Sequence, residues 1–340
     1  MDLIYIRNTN GSFDNGILHH YEVDFDVTED VENPTNDFEL KMELPDDKSG
    51  LLWSENEIVS MIFYEGTEYG GIISGSTIDL EEKTVTYKGR TWRGTLSEYI
   101  IEPPAGQDYL TVTGNLADIL NSLPISPYMY FADTEYAITA SYSFNRYIPT
   151  FEGATDLLTF RDSELRLAIS FEQLEGAYTG LATATITPTR DLTDLIEISQ
   201  DYNDHVKLKI TKDSTTPREL ICLGAGELAQ RQVIHLYADD DWNISTTPIT
   251  DAHPVEVYEY SGSGDLLADG VKKFKEYIFN YEQIDVDIED LDVRLGDIIA
   301  AKDNLTGEMV TAEITTIVYK CTDYGTYQQD TYEYKTKVRL

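Results

Sequence analysis

The five histidines are the residues of this 340-residue chain that come closest to a metal-binding or catalytic pattern. They are His19, His20, His205, His235 and His253. None of them stands four residues from a second histidine with a glutamate between, which is the helical spacing that a zinc protease requires. His19 and His20 lie just before an apolar strand pattern, which favours partly exposed polar positions over metal ligands. The sequence therefore predicts no zinc site.

Two groups of aspartates have the chemistry to gather a hard cation such as calcium. They are Asp239, Asp240 and Asp241, and Asp285, Asp287, Asp290 and Asp292. Carboxylates on one strand face can supply the oxygen ligands that calcium prefers. However, Asp285 and Asp287 alternate with aliphatic residues, as the exposed face of a half-buried strand requires, and the EF-hand pattern is absent. We favour an exposed strand face, with calcium binding as the alternative.

Motifs for nucleophilic catalysis and phosphate binding are missing from the sequence. There is no G-x-S-x-G elbow and no G-x-x-x-x-G-K-[ST] loop. Gly224, Ala225 and Gly226 follow a strand but lack a third glycine and a parallel-sheet context, so they predict a turn. We predict no catalytic, cofactor-binding or metal-binding residue, and hence a protein that is not an enzyme. A glycoside hydrolase with paired carboxylates stays open, because 62 acidic residues offer many pairs.

The charge balance argues against nucleic-acid binding. The chain has 62 acidic and 25 basic residues and a net charge of −37, which opposes contact with phosphates. No run of 18 apolar residues and no signal-peptide pattern occurs, so we expect neither a membrane span nor export by a signal peptide. Cys222 and Cys321 lie in strand-like runs, which favours buried free thiols in a reducing cytosol, with a disulfide as the alternative.

Strand patterns dominate the segments that must position these residues. In residues 1–100, Phe38, Leu40 and Met42 alternate with polar residues, and Ile58–Tyr64 and Lys83–Lys88 continue as further strands. This pattern predicts an antiparallel meander that closes into a small barrel. The double proline at 103–104 ends the unit.

Helical periodicity appears in the next segment, residues 101–190, which we predict to be an α+β domain. We place its helices at Gly114–Leu123 and Gly153–Phe160 and its strands at Leu165–Phe171 and Leu181–Thr187. The first helix ends at Pro124, because proline cannot continue the hydrogen-bond ladder.

The pattern in the remaining sequence predicts a second barrel, formed by residues 191–225 and 282–340. A mixed domain of residues 226–281 is inserted between these two parts. The first sheet of the barrel is expected to begin with a hairpin of Val206–Thr211 and Glu219–Leu223, and the inserted domain carries a helix through Leu267, Val271 and Phe274. The order of strand, glycine turn, strand and return strand recurs in residues 57–88 and 297–335, so the two barrels are interpreted as related. The predicted fold class is a β-rich α+β fold with two small barrel-like domains and inserted α+β domains.

Three segments together resemble a known family. They are Gly89–Pro104, Glu219–Asp239 and Leu291–Thr315, and their order is that of the prophage tail proteins of Gram-positive siphophages, which resemble the baseplate hub of contractile-tailed phages. The resemblance implies a structural hub at the virion tail tip, a ring-shaped homotrimer assembled in the bacterial host cytoplasm. It implies contacts with a hexameric tail-tube or distal-tail ring, a tape-measure protein, and tip fibres or receptor-binding proteins.

Some members of that family continue into a lysin region that attacks the cell wall. This sequence ends at Leu340, after a Tyr-rich strand pattern, so we expect that region and its catalytic residues to be absent. A tail-associated cell-wall hydrolase, either an endopeptidase or a muramidase, and a carbohydrate-binding tail module are the alternative functions. If three chains enclose a channel through which DNA passes, the net charge predicts a wall in which acidic residues outnumber basic ones.

Overall fold

The fold is given by a computed structural model of the chain. It describes residues 1–9, 12–31, 34–53, 58–132, 138–162, 164–173, 180–195, 197–199, 207–212, 216–240, 242–250, 252–260, 265–279, 282–287, 293–302 and 309–338. The chain forms two compact units. The first unit comprises Met1–Asp191, Ile288–Asp297 and Ile314–Tyr334, and the second comprises Leu192–Asp287, Ile298–Glu313 and Lys335–Leu340.

An antiparallel sheet forms the first part of unit 1. Its strands are β1 (Leu3–Thr9), β2 (Ser12–Ile17), β3 (Tyr21–Thr28), β4 (Asp37–Glu43), β5 (Val59–Tyr64), β6 (Gly70–Asp79) and β7 (Thr84–Thr91). Their spatial order is β3-β4-β7-β6-β5-β1-β2, and the sheet curves as a half-barrel. In β3, Val23, Phe25 and Val27 are buried and the residues between them are more exposed, so the predicted alternation positions one face on the core.

Tyrosines fill much of the core of this half-barrel. Tyr21, Tyr64 and Tyr319 pack around Phe25, and the hydroxyl groups of Tyr21 and Tyr64 hydrogen bond to each other at 2.9 Å. Burial raises the pKa of the Tyr64 hydroxyl, so it remains a neutral donor and acceptor. The high tyrosine content is thus explained here by interior packing with paired hydroxyl groups.

Helices and short sheets complete unit 1. The elements are α1 (Trp92–Thr95), β8 (Ile100–Ile101), β9 (Leu110–Asn115), α2 (Leu116–Ser122), β10 (Met129–Ala132), β11 (Thr139–Phe144), β12 (Ile148–Pro149), α3 (Thr150–Arg161), β13 (Leu165–Gln173) and β14 (Gly180–Pro188). Strand β14 pairs antiparallel with β13 and parallel with β10. The side chain of Asn115 accepts the amide of Ala117 and caps α2. Both helices and both strands predicted for residues 101–190 are confirmed, with boundaries that differ by up to three residues.

Unit 2 contains a four-stranded sheet covered on one face by a helix. Its elements are β15 (Glu197–Ser199), β16 (Lys207–Lys212), β17 (Glu219–Leu223), β18 (Val233–Ala238), β19 (Ile244–Ser245), β20 (Val255–Glu259), α4 (Leu266–Phe279), β21 (Glu282–Asp287) and β22 (Ile298–Lys302). The order of the sheet is β19-β18-β17-β20. Leu220, Cys222 and Leu236 form its core with Leu266 and Phe274 of α4.

The predicted hairpin between β16 and β17 is wrong. Strand β16 pairs with β21, whereas β17 lies between β18 and β20. Burial explains the difference, because Leu220 and Cys222 of β17 face α4 in a shared core that adjacency in sequence does not reveal. The residues that would connect the two strands of that hairpin, 213–217, fall partly outside the described residues.

Two long C-terminal strands supply residues to both units. They are β23 (Met309–Asp323) and β24 (Gln328–Val338). In unit 2, Ile298 of β22 pairs with Glu313 of β23, and in unit 1 β23 pairs with β3 from Thr316 opposite Thr28 to Asp323 opposite Tyr21. The prediction of a β-rich α+β fold with barrel-like sheets is confirmed. The finer division into four domains, and the relatedness of the two barrels, stay predictions.

Candidate functional site

The described histidines fall at two different places. His19 and His20 precede β3, where His20 has a φ of 57° and its amide donates to a carboxylate oxygen of Asp323 at 2.9 Å. Burial opposes ionisation of Asp323, but hydrogen bonds from His20, Gln328 and Gly325 outweigh it and lower its pKa. These hydrogen bonds therefore stabilise a turn. His205 lies outside the described residues.

His235 and His253 meet at one carboxylate in unit 2. The Nδ1 atom of His235 lies 2.7 Å from Oε1 of Glu219, and the Nε2 atom of His253 lies 3.0 Å from Oε2. Burial acts to raise the pKa of Glu219, but the two histidine hydrogen bonds lower it overall. The sequence did not reveal this cluster, because Glu219 is 34 residues from His253 and no motif has that spacing.

The predicted aspartate groups do not converge within the described part of the chain. Asp239 accepts hydrogen bonds from the backbone and side chain of Asn243, and Asp240 forms an ion pair with Arg218 at 2.9 Å. Asp285 and Asp287 lie in β21, while Asp241, Asp290 and Asp292 fall outside the described residues. Among the residues that the structure describes, no group of three His, Cys, Asp or Glu side chains could hold a metal ion.

The glycine pair at 224–226 and the two cysteines have structural positions. Gly224 and Gly226 belong to the tight connection between β17 and β18, in which the Gly224 amide donates to the carbonyl of Gln232, so the predicted turn is confirmed. Cys222 and Cys321 are both buried and free, which confirms the prediction of buried thiols over the alternative disulfide. Burial raises the pKa of both thiols, which makes them poor nucleophiles.

Trp92 anchors the segment Gly89–Pro104. Its ring is buried and stacks on Phe171 of β13, with centroids 4.4 Å apart and planes 7° apart. Thr91 caps the short helix α1 by accepting the amide of Gly94. A Cβ atom at Gly89 would lie 1.9 Å from the carbonyl oxygen of Ile72, so only glycine permits β6 and β7 to approach this closely. The segment thus joins the half-barrel to the α+β elements within unit 1.

A buried ionic network is centred on Arg93, the residue after Trp92. The side chain of Arg93 is 2% exposed, and its Nε atom donates to Oε1 of Glu68 at 2.6 Å. Arg93 also donates to the carbonyl of Leu167 at 2.7 Å and lies 3.7 Å from Glu29, which pairs with Arg166 at 2.9 Å. Burial opposes the charge of Arg93, but Glu68 and Glu29 outweigh it and raise its pKa. Two arginines and two glutamates here balance each other's charge.

A second buried ion pair lies at the Gly296–Asp297 turn of unit 1. Asp297 accepts a bidentate hydrogen bond from Arg190 and another from the amide of Arg294 at 2.8 Å. Gly296 has a φ of 81°, a left-handed conformation that glycine adopts without strain. The contacts of this turn are structural.

A cavity of about 220 Å³ lies in unit 1, and Tyr5, Arg7 and Asp14 contribute to its lining. Arg7 donates to Asp14 and to the carbonyls of Ser49 and Leu51, and Tyr5 donates to Asp14. The polar groups that line the cavity therefore hydrogen bond to one another. The cavity is also smaller than the roughly 300–1,000 Å³ typical of ligand pockets.

The outer face of the four-stranded sheet in unit 2 is partly apolar. Strand alternation turns Ile221 and Leu223 of β17 away from α4, together with Val233 of β18 and Val255 and Val257 of β20. The three valines are each close to half exposed. We call these five residues the valine face. Exposed apolar patches of this kind are typical of contact surfaces.

Comparison with known proteins shows where this fold occurs. No protein family and no curated protein matches the sequence. Among solved structures, the 43 kDa tail protein of prophage MuSo2 from Shewanella oneidensis has a TM-score of 0.63 at 10% identity, covering 100% of this chain and 98% of that one. A tail protein from Neisseria meningitidis MC58 has a TM-score of 0.58 at 11% identity, covering 99% and 97%.

A third structure has the same fold. The prophage tail protein gp18 from Listeria monocytogenes EGD-e has a TM-score of 0.53 at 13% identity, covering 99% of this chain and 94% of that one. The chain therefore has the fold of prophage tail proteins along nearly its whole length. The resemblance inferred from three sequence segments is confirmed at the level of the fold. No helix in the described part of the chain is long and apolar enough to cross a membrane.

Proposed function

We propose that this chain is a structural protein of a phage tail, located at the tail tip of the virion. The observation that carries the proposal is the shared fold with the MuSo2 tail protein across 100% of this chain and 98% of the other. Likeness over a whole chain is stronger support than a shared single domain, because one domain fold hosts many unrelated functions. The buried ionisable and thiol side chains are also engaged in structural contacts. Arg93, Asp297 and Glu219 form ion pairs, and Cys321 is buried in a core.

At a finer level, we infer a hub that assembles as a homotrimeric ring in the host cytoplasm. Two related barrels in each of three chains would present six similar surfaces to a hexameric tail-tube or distal-tail ring. A tape-measure protein would pass along the axis, and tip fibres or receptor-binding proteins would attach beyond it. The valine face offers apolar surface for contacts of this type.

Measuring the mass of the purified chain in solution tests the oligomer. Light scattering should give three times the chain mass of 38.5 kDa for the protein alone, or the mass of the ring plus three chains after mixing with its tail-tube ring. Replacing Val255 and Val257 together with aspartate tests whether the valine face takes part, with Glu256→Gln on the same strand as control. A monomer that binds no tail-tube ring under either condition would contradict the hub.

The charge supports a channel that DNA passes without adhering. A net charge of −37 per chain repels phosphates, so acidic residues are expected to outnumber basic ones on the channel wall. An electrophoretic mobility assay with duplex DNA at physiological salt should show no complex. A retarded band at micromolar protein would show that this account of the charge is wrong.

We further propose that the protein has no wall-degrading activity. Among the described residues no group of three His, Cys, Asp or Glu side chains could hold a metal ion, and burial raises the pKa of the thiols of Cys222 and Cys321. Zymograms on several Gram-positive cell walls should show no clearing. A clearing band that disappears when one carboxylate or cysteine is replaced would favour the hydrolase, and retention on isolated cell-wall polysaccharide would favour the carbohydrate-binding module.

A further inference from the structure

The edge strand of the four-stranded sheet is held by backbone pairing along one side. Strand β20 pairs with β17 in parallel, from Glu219 opposite Val255 to Leu223 opposite Glu259, and it is the last strand in the order of this sheet. Just before β20, the carbonyl of Pro254 accepts the amides of Arg218 and Glu219 at 3.0 and 3.3 Å. A parallel ladder is slightly less stable per residue than an antiparallel one, so side-chain contacts at its start matter.

Glu219 bridges both neighbours of β17 through its two carboxylate oxygens. One oxygen bonds to His235 of β18, and the other bonds to His253, two residues before β20. Glu219 and His253 are 14% and 11% exposed, so this contact is largely shielded from water. His235 is 45% exposed and is more strongly screened.

Other polar and charged groups lie around Glu219 and its two histidines. Tyr237 lies directly opposite Glu219, and burial together with the Glu219 charge raises the pKa of its hydroxyl, so it stays neutral near pH 7. Three other charged side chains have contacts of their own: Arg218 pairs with Asp240, Arg231 pairs with Glu259, and Asp269 of α4 accepts a hydrogen bond from Tyr258. Histidine is the side-chain type whose charge ordinarily changes between pH 5 and 8.

We propose that Glu219, His235 and His253 form a proton-sensitive clasp that sets how firmly β20 is held to the sheet. When the histidines carry a proton, the hydrogen bonds to the Glu219 carboxylate join opposite charges and gain ion-pair attraction. When the protons leave, the same contacts persist as weaker hydrogen bonds. The valine face includes Val255 and Val257 of β20, so the clasp also controls how rigid that face is. This inference stands independently of the proposed tail role.

Hydrogen exchange followed by mass spectrometry on the full chain tests the clasp. Rates are measured at pH 6 and pH 8 and corrected for the intrinsic pH dependence of amide exchange. We expect the peptide containing Val255–Glu259 to be protected about fivefold more at pH 6 than at pH 8, in line with a charge-assisted gain of about 1 kcal/mol. Peptides from β9 and β11 in unit 1 serve as internal references.

Four variants complete the design. Glu219→Gln should abolish the pH-dependent difference, and His253→Gln should remove most of it while His235→Gln removes less, because His253 is the more buried partner. Glu256→Gln removes a carboxylate from β20 that bonds to neither histidine and should leave the difference unchanged. If Glu219→Gln disrupts the sheet, the comparison of His253→Gln with the unaltered chain decides. Equal pH dependence in the unaltered chain and in His253→Gln would overturn the proposal.

Discussion

Each unit contains a glutamate held between two basic side chains, and the two sites differ in the kind of base. In unit 1, Glu29 lies between Arg93 and Arg166, and in unit 2 Glu219 lies between His235 and His253. Both glutamate side chains are 14% exposed. Burial of the anion is therefore equal, and the difference lies in whether its partners can lose their charge.

The comparison separates permanent from adjustable electrostatics. An arginine remains charged at every pH at which the protein is folded, so the network around Arg93 fixes the α+β elements on the half-barrel. A histidine changes its charge near neutral pH, so the contacts of Glu219 vary in strength with conditions. Two equally buried carboxylates thus form a permanent ion pair in unit 1 and a pH-dependent contact in unit 2.

The largest effect is expected from Arg93→Met. This change leaves Glu68 without its bidentate partner in a dry site, and breaking a buried pair in this way costs about 3–5 kcal/mol. Arg90→Met, on the exposed side of β7, is the control and should cost less than about 1 kcal/mol. Urea unfolding followed by circular dichroism measures both. A cost for Arg93→Met no larger than that of its control would remove the distinction between the two sites.

A smaller effect is expected from Asp297→Asn. The Asp297 side chain is 2% exposed but its partner Arg190 is 33% exposed, so this pair is intermediate between the other two sites. The amide keeps one acceptor for Arg190 but loses the charge, and we expect a loss of about 2 kcal/mol. The exposed Asp14, paired with Arg7, offers the control Asp14→Asn, for which the same unfolding assay should show little change. Reversal of this order would mean that burial of the carboxylate is not the deciding factor.

Glu219→Gln should have the smallest effect at pH 7, about 1 kcal/mol, and the effect should depend on pH. The pKa of Glu219 is lowered in the folded chain, so its stabilising contribution is present above the unfolded pKa and is lost as the pH falls through the folded pKa. At the alkaline end the contribution weakens as the histidines lose their protons. Thermal unfolding from pH 3 to pH 9 should therefore show the greatest difference between the two proteins at mildly acidic pH. A constant difference across this range would show that the two glutamate sites behave alike.

Local patterns in the sequence predicted the elements more successfully than their partners. The helices α2 and α3 followed from apolar spacing and a proline stop, and β4 followed from the alternation of Phe38 and Leu40. The hairpin of β16 with β17 failed because the true partner of β16, strand β21, lies about seventy residues further along the chain. Pairing over such distances is decided by shared burial, which a single sequence does not display.

The chemically unusual contacts were the hardest to foresee. Arg93 stands beside Trp92 at the end of a strand, and a basic residue at such a place is usually exposed. Its burial depends on Glu68 and Glu29, which belong to two other connections in unit 1. One signal did point there, since the segment Gly89–Pro104 carried part of the resemblance. The sequence marked the segment as important without showing that its arginine is buried.

The pairing of β3 with β23 determines when unit 1 can finish folding. Thr28 and Thr316 share a hydrogen bond at 2.9 Å, although 288 residues separate them. At the roughly 5–20 residues per second of protein synthesis, the partner of β3 leaves the ribosome about 15–60 s after β3 itself. During that interval one edge of β3 has no native partner, and unpaired strand edges are the usual starting points of aggregation. The nascent chain therefore carries an unpaired edge of β3 through most of its synthesis, and factors that shield strand edges should raise its yield, whereas slower synthesis should lower it.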